Sequence, residues 1–171
     1  MSELLFQRFF FKKSYEIDKS RTCFFTGHRI IPQEEIDDVI NKTKQYIIDL
    51  INKGVNTFLC GGALGFDTIC GQIVLSLKNE YKNIKLYMII PCKDQDKYWN
   101  NKDKETYWHL IKNADRVIYT QVKYKAGCMH LRNRFMSDNS SYAIAYLKKS
   151  GGGTAYTVKY AQKNGVNVLL I

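Results

Sequence analysis

The run Leu59-Cys60-Gly61-Gly62-Ala63-Leu64-Gly65-Phe66-Asp67 lies between an apolar stretch, Val55 to Cys60, and a segment of helical character, Ala63 to Tyr81. Glycines here let the backbone turn sharply and come close to a ligand, and the N–H groups that open the following helix have no acceptor within it. A phosphate suits such a place, because free donors and the positive end of the helix dipole coincide there. Asp67 falls in the first helical turn, where its carboxylate can hold a ribose hydroxyl or favour the helix start. A second run, Ser150-Gly151-Gly152-Gly153-Thr154, again joins a strand-like stretch to a helix-like one. Thr154 can open that helix or bond a phosphate oxygen. Two such turns in one chain point to one extended phosphate-bearing ligand, or to a nucleotide and a second group.

Further candidates flank these turns. Gly27-His28-Arg29 follows the first strand-like run, and an arginine there can fork onto a phosphate, stack on a base or sit in solvent. In His130-Leu131-Arg132-Asn133-Arg134, helical spacing places His130 and Arg134 on one face, with Asp138 four residues beyond Arg134. Two readings stand: a weak surface pair between Arg134 and Asp138, or one of Arg132 and Arg134 reaching the phosphate with Asp138 orienting it. Tyr98 or Trp99 can stack on a nucleobase, or pack half-buried. The three histidines have no metal-ligand spacing, no G-x-S-x-G occurs, and Cys128 and His130 are too near in sequence to diagnose a nucleophile. Neither a metal nor a cofactor is expected.

The elements that must position these residues alternate. Thr22 to Thr26 reads as a strand, and Pro32-Gln33-Glu34-Glu35 as a helix start. Ile36, Val39, Ile40, Ile47, Ile48 and Ile51 give that helix an apolar stripe that Gly54 ends. Strands are expected at 55–60, 84–90, 116–120, 142–147 and 166–171, with further helices near 104–113, 130–139 and 155–164. The pattern predicts an α/β, Rossmann-like three-layer fold with a mostly parallel sheet. Ligands of such sheets bind beyond the carboxyl ends of the strands, where Thr26–Arg29, Gly61–Asp67, Pro91–Trp99 and Ser150–Thr154 all fall.

A length of 171 residues suits one domain, taken as residues 21–171 behind an aromatic and basic extension, residues 1–20. That extension carries Leu4, Leu5, Phe6, Phe9, Phe10 and Phe11, a stretch able to dock on its own domain, on a partner subunit or at a membrane surface. No apolar run reaches the roughly 18 residues of a membrane span. The net charge of +10 admits nucleic-acid binding through counterion release, but the lysines are scattered among Asn, Asp and Glu as on a solvated surface. Five cysteines without a C-x-x-C pair, and an N-terminus without signal-peptide layout, lead to the expectation of a reducing, cytoplasmic setting.

Thr26-Gly27-His28-Arg29, Gly61-Gly62-Ala63-Leu64-Gly65-Phe66-Asp67, Arg132-Asn133-Arg134-Phe135-Met136-Ser137-Asp138 and Gly152-Gly153-Thr154-Ala155-Tyr156-Thr157 together resemble the YpsA-like family of the SLOG superfamily, from about Arg21 to Ile171. The resemblance implies a Rossmann-like SLOG domain, related to the DNA-processing protein DprA and to the LOG phosphoribohydrolases. Members bind nucleotides, nucleotide-derived signals such as ADP-ribose compounds, or DNA. The family's glycine motifs fall on Gly61–Asp67 and Gly152–Thr154, and a homo-oligomer is implied. One departure matters: Thr157 stands where the LOG signature P-G-G-x-G-T-x-x-E has its catalytic Glu, so a hydrolase would need Asp67 or Asp138 as its acid. The expectation is therefore a domain that senses or sequesters a nucleotide or nucleotide-derived signal. Gly61–Gly65 and Gly152–Thr154 would hold phosphates, Arg29 and one of Arg132 or Arg134 the charge, Asp67 the ribose and Trp99 or Tyr98 the base. The alternatives are an enzyme cleaving an N-glycosidic bond, and single-stranded DNA binding.

Overall fold

The computed structural model describes residues 16–171; the aromatic stretch 4–11, expected to pack on something, lies outside them. Eleven elements alternate, beginning with β1 (Thr22–Gly27) and, after a 3-10 turn at Gln33–Glu35, α1 (Ile36–Asn52). Then come β2 (Thr57–Cys60), α2 (Phe66–Leu77), β3 (Lys85–Ile90), α3 (Asn101–Asn113) and β4 (Arg116–Tyr119). The chain closes with α4 (Cys128–Asp138), β5 (Tyr142–Tyr146), α5 (Gly152–Lys163) and β6 (Asn167–Leu170).

The strands form one sheet in the order β4-β3-β2-β1-β5-β6, and every pairing in it is parallel. Alternate side chains of each strand enter opposite layers, as the two-residue period requires. Cys23, Phe25, Phe58, Cys60, Leu86, Met88 and Ile90 join one core cluster, which α1, α2 and α3 cover with Val39, Ile47, Leu50, Val74, Leu77 and Leu110. Phe24, Leu59, Tyr87 and Ile89 enter the other, with Met136 of α4 and Ala161 of α5. The result is a three-layer α/β fold, Rossmann-like as expected. No helix among the described residues is long and apolar enough to cross a membrane.

Several helix starts differ from their sequence expectation, three of them beside the site or its loops. α2 begins at Phe66, not Ala63, because Gly65 has φ +79° and so interrupts helical geometry. α3 begins three residues before Lys104, where the Asn100 side chain accepts from the Asp103 N–H at 2.9 Å and caps it. α5 begins at Gly152 rather than Ala155, so the second glycine run is itself the first turn of the helix.

Candidate functional site

The chain runs outward from β1 through β2 and β3 to β4, then returns to place β5 on the other side of β1. The loops after β1 and β5 therefore part, and a crevice opens beyond the strand ends. A cleft of about 340 Å³ lies there, lined by Phe25 to Arg29 at and beyond the end of β1, Ala63 and Asp67 before and within α2, Met129, His130, Arg132 and Asn133 of α4, and Gly153 and Thr154 of α5.

The loop after β2 is pressed against the loop after β1. The Phe66 N–H donates to the His28 carbonyl at 3.2 Å, and a Cβ on Gly65 would lie 2.2 Å from the Arg29 carbonyl oxygen. Gly65 thus combines a positive φ with an approach only glycine permits. Gly61 faces a different obstacle: a Cβ there would lie 2.2 Å from Arg132 Nη1 and 2.7 Å from Asp67 Oδ2.

That crowding identifies the centre of the site. Asp67 is 6% and Arg132 4% exposed. Burial pushes the Asp67 carboxyl up, while the Arg132 charge and the Ala63 N–H, which donates to Oδ2 at 3.3 Å, favour the anion. Burial likewise lowers the Arg132 guanidinium, and Asp67 opposes this. Arg132 also donates through Nη1 to the Gly61 carbonyl and, at 3.3 Å, to that of Ile89, and through Nε to Asn133 Oδ1 at 2.7 Å. A buried cation held by carbonyls, with an anion acting on it through space, keeps its charge at the cleft wall.

Two residues that sequence reasoning did not single out complete the support. Asn133 Nδ2 donates to Thr157 Oγ1 at 2.9 Å, and the Thr157 hydroxyl donates to the Gly153 carbonyl at 2.8 Å. α4 and the first turn of α5 are thereby joined through Thr157, the residue standing in place of the LOG glutamate. Gln95 Nε2 donates to the Gly62 carbonyl at 2.9 Å. With Arg132, it engages the carbonyls of the first glycine turn. The signals were adjacency to Arg132 for Asn133 and the polar loop after β3 for Gln95.

Of the expected site residues, Gly27, His28, Arg29, Ala63, Asp67, Arg132, Gly153 and Thr154 line the cleft. Gly61 and Gly62 lie buried beneath it, and a Cβ on Gly62 would meet Met88, Ile90 and Tyr107 of the core rather than a ligand. Gly65 precedes α2, and exposed Gly152 opens α5 with φ +87°. Trp99 follows the second of its two expected readings, half-buried packing: its ring lies edge-on against Tyr107, 5.3 Å between centroids, because the apolar ring gains more from the core beside α3 than from solvent. Tyr98 is 89% exposed and does not line the cleft. Arg134 points the other way from Arg132, lying 5.7 Å from the ring centroids of Tyr156 and Tyr160. Asp138 accepts from the Tyr160 hydroxyl at 2.9 Å, so the expected orientation of a phosphate-binding arginine by Asp138 gives way to an aromatic contact.

His28 spans the parted loops. Its Nε2 accepts from the Lys148 N–H at 2.9 Å, and its ring meets that of Tyr146 edge-on at 5.8 Å. Burial and the nearby Lys149 charge lower its pKa, consistent with a neutral imidazole protonated on Nδ1.

A model of the YpsA family, described as the YspA SLOG family, matches residues 31–168. The SPbeta prophage-derived protein YoqJ of Bacillus subtilis (strain 168) is 31% identical over 140 residues, 75% of this chain and 76% of that protein. A UPF0398 protein of Bacillus cereus (strain ATCC 14579) is 27% identical over 122 residues, 70% of this chain and 66% of its own length, so the chain spans just under two thirds of that relative. Among solved structures, DprA of Streptococcus pneumoniae superposes with TM-score 0.66 at 16% identity, over 90% of this chain and 51% of that one. DNA processing protein A of Helicobacter pylori, described for its single-stranded DNA binding mode, gives 0.62 at 19%, over 90% and 66%. At these identities the structural likeness speaks for the fold. The matched residues run from the end of the β1 loop into β6 and take in both glycine turns and α4, and on that match the chain belongs to the YpsA family of SLOG proteins.

Proposed function

We propose that the cleft binds a nucleotide or nucleotide-derived signal through its phosphates, and that the protein senses or sequesters that ligand. One observation carries the reading: residues opening α2 and α5 and the buried, charge-compensated Arg132 line the same cleft. Helix-opening N–H groups and a guanidinium are complementary to phosphate oxygens, and Arg29 adds a second cation at the rim. ADP-ribose derivatives belong to this ligand class. A homo-oligomer, implied by the family resemblance, accompanies the reading and is checked by sedimentation velocity.

Gly153→Asp tests the site. A Cβ on Gly153, a residue of the cleft wall, meets nothing within 4 Å, so the substitution is sterically accommodated and adds a negative charge at that wall. Calorimetric titration with ribose 5-phosphate, ADP and ADP-ribose is expected to lose at least about tenfold in affinity, as a charge opposed to phosphate at short range dictates, with an unchanged melting temperature. Equal affinity in the folded variant would refute the assignment. Mass spectrometry of each incubated ligand is expected to recover it intact; free base with ribose phosphate would replace the binder with an N-glycosidic hydrolase acting through Asp67.

A second reading, single-stranded nucleic acid, is favoured by the Arg134, Tyr156 and Tyr160 cluster on α4 and α5. Exposed aromatics and arginine provide stacking surfaces for successive bases.

A further inference from the structure

A second groove, of about 480 Å³, adjoins the phosphate cleft, and His28 and Arg29 line both. Its apolar surfaces are Ile30 and Pro32, the buried Tyr146 forms its floor, and its polar groups are Glu35, Lys148 and Lys149. Ile30 is 85% exposed, so its aliphatic face is open to a planar group lying in the groove. Glu35 is held: its Oε2 accepts from the Tyr146 hydroxyl at 2.8 Å and pairs with Lys148 Nζ at 3.1 Å. Among the described residues both contacts fall on Oε2, so Oε1 retains its acceptor capacity. The Tyr146 and Lys148 contacts also keep this carboxyl below its ordinary pKa, and it is an anion at neutral pH.

The occupant must therefore be contiguous with a phosphate group, present apolar faces, and offer hydrogen-bond donors to a fixed carboxylate and an acceptor to an ammonium. Among the nucleobases guanine meets this best: N1–H and the exocyclic amino group are donors side by side, and O6 is an acceptor beside them. Adenine presents one donor group, and its N1 lone pair would oppose the Glu35 charge.

We propose that this groove is the base subsite, and that it selects a guanine nucleotide through Glu35, with Lys148 or Lys149 on O6 and Ile30 against the ring. The assignment rests on phosphate binding in the neighbouring cleft. Oε1, the carboxylate oxygen left open, has lone pairs for both N1–H and the amino group, and a site that accepts these donors from one base and neither from its competitor discriminates by roughly tenfold or more.

The test is calorimetric titration of the full chain with GDP, ADP and ribose 5-phosphate, on the wild type and on Glu35→Gln. Gln retains an acceptor for Tyr146 but removes the charge, and a melting curve checks the fold. The wild type is expected to bind GDP at least about tenfold more tightly than ADP. Glu35→Gln is expected to bring GDP to the ADP level and leave ribose 5-phosphate unchanged. Wild-type affinities that are equal for GDP and ADP, or higher for ADP, with ribose 5-phosphate still bound, would overturn the guanine subsite while the phosphate cleft stands. Absence of binding by all three probes would overturn the cleft and the subsite together.

Discussion

Arg132 and Asp67 are both nearly sealed from water, yet both line the cleft. Burial opposes both charges, and each favours the other's charged form through space. Asp67→Asn removes the carboxylate that favours the Arg132 charge and is expected to lower the urea midpoint; a midpoint within error of wild type would mean that the carbonyls of Gly61 and Ile89 suffice for Arg132. The same residue scale explains why Gly153, rather than Gly62, is the informative place for a carboxylate. Gly62 has φ +64° and its missing Cβ faces Met88, Ile90 and Tyr107, so a charge there would enter the core. The glycine content of the first turn follows from close approach to Arg132, Asp67 and Arg29 as much as from any ligand.

At the scale of elements, the site depends on short links between helices and loops that are distant in the chain. Asn133 and Thr157 couple α4 to α5, and His28 couples the loop after β1 to the loop after β5. The His28 link titrates. Its acceptor nitrogen must be unprotonated, and the folded pKa lies below the ordinary 6.5, so the folded state takes up a proton less readily than the unfolded chain. This contribution to stability is complete above the unfolded value and declines as pH falls through it toward the lower folded value. Hydrogen exchange of the Lys148 amide is expected to show a falling protection factor from about pH 7.5 to about pH 5. A constant protection factor would show that the link is dispensable to the loop.

For the whole molecule, the decisive feature is the reversal of strand order at β1, which opens a crevice only where β1 and β5 lead away in opposite directions. The net charge of +10 attracts anions of every size, so affinity alone does not separate a nucleotide site from a nucleic-acid surface. Salt dependence does. A mononucleotide contacting two or three cationic groups is expected to lose less than about tenfold in affinity between roughly 50 and 200 mM salt, whereas a chain neutralising many phosphates loses far more. Titrations of GDP and of a single-stranded oligonucleotide at both salt levels would measure this. Tighter, steeply salt-dependent oligonucleotide binding would favour the surface formed by Arg134, Tyr156 and Tyr160 over the cleft.

The alternation of strand and helix, the parallel sheet and the two glycine turns were legible in the sequence. They arise from local periodicity and from residues whose backbone preferences act over a few positions. Helical spacing also separated Arg132 from Arg134 onto different faces. Which face meets the cleft was decided only when α4 packed on the sheet through Met136, turning Arg132 inward and Arg134 out. Trp99 was drawn to Tyr107 by a core that its own loop does not reveal. Glu35 was hidden for a further reason: Tyr146, which holds it, lies 111 residues away, and only the parallel crossover beside β1 brings the two together. Local sequence determined the backbone devices able to receive a phosphate, whereas tertiary packing decided which side chains surround it, because pairing between residues distant in the chain leaves no local period to read.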